Sequence, residues 1–321
     1  MHPLTPLLPA EITTCADVLS KNFQLPAGKK FHFKAITLHE PPKAELVAWS
    51  SGKGPKPPRL GCAIFYIRGT DLIYEVLVNI STRTLCSQTP APAGCHGPAD
   101  GAEILAMEAL ALSDEGVQRE LQKLELPEDT VVVVDPWPYG SDGDNDQRRM
   151  FQCFLYLRDK ENPDSNHYAA PLSISPVVDV QTMEVVRIFN LPTGSDATPT
   201  PPRKYVRQPT ADYTPEHQKL RTDLKPLHVV QPEGASFTVA EDVEGSGGAV
   251  VQWQKWSIRT SFNWREGLVL HNVEYDGRSL FYRISLSEMN IPYGDPRAPY
   301  HRKAAFDLGD AVCLRVVLSA H

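Results

Sequence analysis

The sequence predicts an α+β protein with two small tandem units and an all-strand segment that opens a β-sandwich. Three observations carry this reading. Helical apolar spacing is confined to two places, before residue 20 and over 101–124. Alternating apolar runs bounded by turn residues follow each of them. From about residue 218 onward only strand and turn patterns remain.

The first unit opens with Pro9, Ala10 and Glu11 leading into Ile12, Cys15, Ala16 and Leu19 at i, i+3, i+4, i+7 spacing, which predicts a helix. FHFKAITLHE, ELVAW, CAIFYIRG and DLIYEVLVNIS then read as strands, with Gly69, Thr70 and Asp71 turning between the last two. In the second unit, GAEILAMEALALSDEGVQRELQKL predicts two helices, the second with Val117, Leu121 and Leu124 on one side. TVVVVDPWPYG, RRMFQCFLYLRD, PLSISPVVDVQT and EVVRIFNLP follow as strands. The final segment offers FTVAEDV, GGAVVQWQKWSIRTSFN and GLVLHNVEYDGRSLFYRISLSEMN, in which Asp276 and Gly277 form a hairpin signal. Proline clusters at 51–62, 87–101 and 191–217 mark loops, because proline cannot donate a backbone hydrogen bond. The last two set the expected boundaries: 1–90, 99–195, a linker at 196–227, and 228–321.

Composition is that of an ordinary soluble globular chain, 41% hydrophobic and 22% charged. A net charge of −7 disfavours nucleic acid, whose phosphates demand clustered Lys and Arg. No apolar run reaches the length of about eighteen residues that a membrane span needs, and the N-terminus lacks a secretory pattern. Cys15, Cys62, Cys86, Cys95, Cys153 and Cys313 show no CxxC spacing and read as reduced thiols, although Cys86 and Cys95 flank one loop and could pair in an oxidising compartment.

Most candidate motifs dissolve on inspection. The ten histidines form no HxH, HxxxH or HExxH, so no local metal pair is expected, and His32 and His39 read as surface residues. SDGDND (141–146) alternates oxygen ligands but lacks the acidic residue that closes a calcium loop. GSGGAV (245–250) enters a strand without a following Lys, unlike a phosphate loop. Trp253, Trp256, Phe262 and Trp264 read as sandwich core. Asp307, which follows the apolar Ala304, Ala305 and Phe306, would be a better base if partly buried, and a turn Asp is the other reading of the same spacing.

The stretch around Asp307 resembles one family. REGLVLHNV, YRISLSEM and YGDP, with the Asp of AFD fourteen residues after Tyr293, resemble the start of the catalytic domain of copper-containing, topaquinone-dependent amine oxidases. MHPLTPLLPAEI, LHEPPKAELVAW, DPWPYG and NHYAAPL are similar to the domains that precede it in fungal and peroxisomal members. The resemblance implies two cystatin-like α+β domains ahead of a β-sandwich that forms a homodimer, with a primary amine and O2 as substrates and copper and topaquinone as cofactors. In the family a Tyr in an N-Y-D/E motif becomes the quinone, the amine forms a Schiff base with it, and an Asp removes the α-proton. Aldehyde, ammonia and hydrogen peroxide are the products.

By the same resemblance Asp307 is the proton acceptor, Tyr293 hydrogen-bonds the quinone, and Ala305 stands at the gate of the substrate channel. The sequence departs from the family pattern in three places. It contains no Asn-Tyr pair and no HxH, and after Asp310 it continues as AVCLRVVLSAH, which looks like a different reading frame, a retained intron or a premature stop. The expected function is therefore that of an amine oxidase in truncated form, inactive by itself, in a peroxisomal or cytoplasmic setting. The alternatives are an interaction module made of the two N-terminal domains, or an unrelated enzyme pairing Asp307 with His271 or His301.

Overall fold

The structure, a computed structural model, describes residues 1–97, 99–140, 148–192, 204–207, 212–263, 266–286, 290–302 and 304–306. Its contacts divide it into two units, one made of Met1–Pro98 with Gln231–Met289, the other of Ala99–Val230 with Asn290–Ala305.

In the first unit, α1 (Pro9–Asn22) begins with a proline where a helix needs no donor, and the Glu11 carboxylate accepts the Leu8 N–H. Its Cys15, Val18 and Leu19 are buried, whereas Ile12 remains exposed. They pack on a sheet of order β1-β2-β3-β4, all antiparallel, formed by Phe31–His39, Leu60–Ile67, Ile73–Asn79 and Thr84–Pro90. Phe65 centres this core, with Phe23, Phe31 and Phe33 edge-on to it. ELVAW, expected as a strand, instead lies in the helix α2 (Lys43–Ser50). The Pro41-Pro42 pair sets the chain for a helical start, and Lys43, Ala44, Glu45 and Leu46 are all good helix formers that a single buried Leu46 suffices to anchor.

The same unit holds a second antiparallel sheet, order β13-β12-β11-β10-β9, from Phe237–Glu241 (β9), Ala249–Trp253 (β10), Trp256–Asn263 (β11), Gly267–Tyr275 (β12) and Arg278–Ser285 (β13). The β12–β13 turn has positive φ at both Asp276 (51°) and Gly277 (73°), the backbone that an Asp-Gly hairpin requires. GSGGAV does run into a strand, β10. Val269, His271 and Val273 are buried on one side of β12. By register the other side carries Phe237 and Trp253, Val239, Phe262 and Leu268, and Ile284, all of them exposed. The expectation that Trp253 and Phe262 are sandwich core is thus corrected, since the described residues supply no second sheet to cover them; Trp264 lies outside the described residues.

In the second unit, α3 (Gly101–Ser113) and α4 (Glu115–Gln122) are capped by Asp100 and Asp114, whose carboxylates accept the N–H groups of Glu103 and Val117. Met107, Ala111, Val117 and Leu121 are buried against an antiparallel sheet of order β5-β6-β7-β8, formed by Thr130–Pro138, Met150–Asp159, Ile174–Asp179 and Glu184–Asn190. Arg149 fixes α3 to this sheet through two 2.8 Å hydrogen bonds to Glu103. The strand period decides what faces the helices: Val134, Cys153 and Leu155 do. Asp135, Trp137, Phe154 and Tyr156 therefore project from the opposite face. Strands β14 (Asn290–Pro292) and β15 (Ala304–Phe306) pair with each other.

The described cysteines Cys15, Cys62, Cys86, Cys95 and Cys153 form no disulfide with one another, and Cys313 lies outside the described residues. Burial pushes the Cys153 thiol up to about 12, as befits a packing residue and not a nucleophile. No helix among the described residues is long and apolar enough to cross a membrane.

Candidate functional site

The loop from Tyr293 to Arg302 is the stretch on which the family resemblance places a cofactor contact, and it is built on the helix-free face of the second unit's sheet. Asp295 accepts three hydrogen bonds from the Arg297 side chain and one from its backbone N–H, closing a tight turn after Gly294. These contacts hold the Asp295 carboxyl down at about 2. Tyr300 stacks on Phe154 of β6, with planes 6° apart, and the Arg302 guanidinium sits 4.5 Å from the centre of the Tyr139 ring. The backbone closes the contact: Gly140 N–H donates to the Arg302 carbonyl at 3.3 Å, and a Cβ at Gly140 would meet that oxygen at 2.6 Å.

Tyr293 is thereby left half-exposed at the head of the loop, its ring edge-on to Trp137 at 6.1 Å. Trp137 is held in turn, its indole N–H donating to Asp135 Oδ2 at 2.8 Å. The Tyr168 hydroxyl, from the short 3-10 turn His167–Ala169, donates to the same oxygen at 3.3 Å. Tyr156 lies edge-on to Tyr168 at 5.1 Å. Burial, then the Asp135 charge, push the Tyr156 phenol up to about 12 and raise that of Tyr168. The result is a carboxylate ringed by aromatic side chains. No motif announces it, although DPWPYG and NHYAAPL contain three of its members.

The other predicted positions fare differently. Ala305 lies in β15, and Asp307 immediately beyond it falls outside the described residues, as does SDGDND. His271 is 1% exposed in the first unit, and its Nε2 forms a 3.1 Å hydrogen bond with Glu40, which makes it a buried member of a polar network and not a surface base. Glu40 and Glu266 both grip Arg283 in that network. His32 and His39 are half-buried on β1. Among the described residues, no group able to hold a metal contains two histidines.

Comparison with known proteins settles the family. Three family descriptions match in succession: copper amine oxidase, N2 domain at residues 2–91; copper amine oxidase, N3 domain at 102–205; and copper amine oxidase, enzyme domain at 244–317. Copper amine oxidase 1 of Aspergillus niger is 38% identical over 330 aligned residues, covering 96% of this chain and 48% of its own. The peroxisomal primary amine oxidase of Pichia angusta is 32% identical, over 94% of this chain and 42% of its own. In structure, a copper-containing benzylamine oxidase from Hansenula polymorpha aligns with TM-score 0.85 and 37% identity, over 97% of this chain and 48% of that one. The chain spans about half the length of the relatives it matches. With its domains matched in order along most of its length, the chain belongs to the copper amine oxidase family.

Proposed function

We infer that this chain carries the N-terminal domains and the first part of the catalytic domain of an enzyme that deaminates primary amines with O2, and that by itself it does not catalyse the reaction. The supporting observation is the placement of Tyr293: a half-exposed phenol at the head of a loop braced on the second unit's sheet, with its ring against Trp137. In this reading Tyr293 hydrogen-bonds the quinone, Asp307 takes the α-proton of the bound amine, and Ala305 leaves the channel open to larger amines.

Copper and topaquinone do not fit the residues present. Copper in this family calls for histidine ligands, and among the described residues no candidate metal group has two. The quinone calls for a tyrosine after an asparagine, and the sequence has none. What the cofactor would supply is an electron acceptor, and a carboxylate alone cannot substitute for it. The chain's own residues are thus confined to orienting an amine and holding a proton acceptor. A homodimer and a peroxisomal or cytoplasmic location belong to the same proposal, supported by relatives whose names include peroxisomal enzymes.

Copper analysis combined with phenylhydrazine labelling of the 321-residue chain tests the reading. Neither bound copper nor a coloured adduct is expected; a stoichiometric coloured adduct would mean that some other tyrosine becomes a quinone and would overturn it. A second reading, an interaction module made of the two N-terminal domains together with the partial sandwich, is favoured by the exposed apolar face that the latter carries at Phe237, Trp253, Phe262 and Leu268. It requires a monodisperse chain that binds a partner through that face.

A further inference from the structure

We propose that the open edge of β1 in the first unit is a docking site for an extended, arginine-bearing segment of a partner protein, which adds to the sheet as a further strand. A cavity of about 480 Å3 within this unit is lined by every residue from 34 to 40, that is by the second half of β1 and by Glu40 just after it. Successive side chains of a strand point to opposite faces. Ile36 and Leu38 accordingly pack on the core that α1 covers, while Thr37 stands beside Cys62 on the other face. A space that touches residues from both faces runs along the rim of the strand, past its main-chain groups. β1 is the outermost strand of its sheet, and among the described residues it pairs with β2 alone. Such an edge is a template for another chain.

The walls define the occupant. Main-chain groups recur about every 6.7 Å along one edge of a strand, a spacing that another extended chain matches in series and a compact small molecule does not. About six residues span the run. The far wall comes from the second sheet, where Ser261 of β11 is 8% exposed and its hydroxyl has no hydrogen-bond partner among the described residues. Buried hydroxyls are rarely left unsatisfied, so this one points to a ligand with donors and acceptors of its own. Leu4 and Leu7 add aliphatic surface for apolar side chains. At the Glu40 end, two carboxylates, Glu40 and Glu266, face the single guanidinium of Arg283. A second guanidinium, with its planar fork of donors, complements that excess of negative charge. The edge is recessed between walls, which keeps the β1 strands of two copies apart and favours a single incoming strand.

The site is independent of the amine oxidase reading, and its test uses the 321-residue chain without cofactor. The probe is a fluorescein-labelled hexapeptide, Val-Thr-Val-Thr-Val-Arg, amidated at its C-terminus and titrated at pH 8. A saturable rise in anisotropy is expected, together with slower exchange at those amides of 34–40 that exchange fast in the free chain. Only every second N–H of the peptide faces β1. N-methylation of one alternate set should therefore weaken binding at least about tenfold, and of the other set less than about twofold. Glutamate in place of the peptide's arginine should weaken it at least about fivefold. Ser261→Leu, which fills the cavity, should abolish it; if that variant fails to fold, the methylated peptides decide. No binding, equal loss from both methylated sets, or undiminished affinity with glutamate would overturn the proposal. Slow exchange at every amide of 34–40 in the peptide-free chain would do the same, assigning the edge to the chain itself in a monomer and to a second copy in a dimer.

Discussion

Replacing Arg283 by methionine keeps the length of the side chain and removes its charge. In the native structure Arg283 of β13 donates to Glu40 and to Glu266, which also accepts from Asn263 and Ser285. Glu266 is 9% exposed. Burial opposes its ionisation but is outweighed by the hydrogen bonds from Arg283, Asn263 and Ser285, which hold the carboxyl down at about 2. The drop from 4.5 to about 2 corresponds to about 3 kcal/mol of stability at neutral pH. Asn263 and Ser285 survive the substitution, so the expected loss is about 2–3 kcal/mol, of the order found when one partner of a buried pair is removed.

Glu266's pKa is lower folded than unfolded, so this contribution is complete above 4.5 and fades as pH falls through about 2. Circular dichroism melts should place Arg283→Met about 5–10 °C below the parent chain at pH 7. At pH 3 the gap should shrink to less than half. A gap below about 1 °C at pH 7, or one that does not change with pH, would refute the reasoning.

Two further outcomes are expected. Gly140→Ala places a methyl 2.6 Å from the Arg302 carbonyl oxygen, a backbone atom that cannot swing aside, and should cost about 1–3 kcal/mol; faster amide exchange across 290–302 is the diagnostic, and unchanged protection there would count against the loop contact. Phe262→Lys combined with Leu268→Lys, both on the exposed sheet face, should lower self-association in light scattering while shifting stability by less than about 1 kcal/mol. A large loss of stability would show that this face is packed.

Much of the fold was legible because the relevant residues are close in sequence. The capping aspartates of α3 and α4 each sit three residues before the N–H they receive, and the Asp-Gly hairpin specifies its own backbone. ELVAW misleads because the four apolar residues that follow Glu45 are too few to show a period; Leu46 is its only fully buried member, and Val47 is 49% exposed. The polar strand β4, TLCSQTP, runs into a proline cluster and escapes notice because an edge strand with exposed side chains carries no apolar alternation. The site divides along the same line. Tyr293 is singled out only through the family resemblance, whereas Asp135 and Trp137 are brought to it by strand register and loop bracing over more than 150 residues, which no local spacing encodes.

The tie between Thr5 and Asp242, like that between Glu40 and Arg283, joins positions separated by 237 and 243 residues within one unit. A ribosome releases the first part of that unit long before its partner strands exist. At about 5–20 residues per second, the intervening segment of roughly 130 residues imposes a wait of about 7–26 s. Throughout that interval Glu40 lacks Arg283 and the buried Thr5 lacks its acceptor, so the nascent N-terminal sheet must persist on its own phenylalanine core. Synthesis order thus makes the Phe65 cluster a holding structure, and a lesion there would be felt first as chaperone dependence during translation.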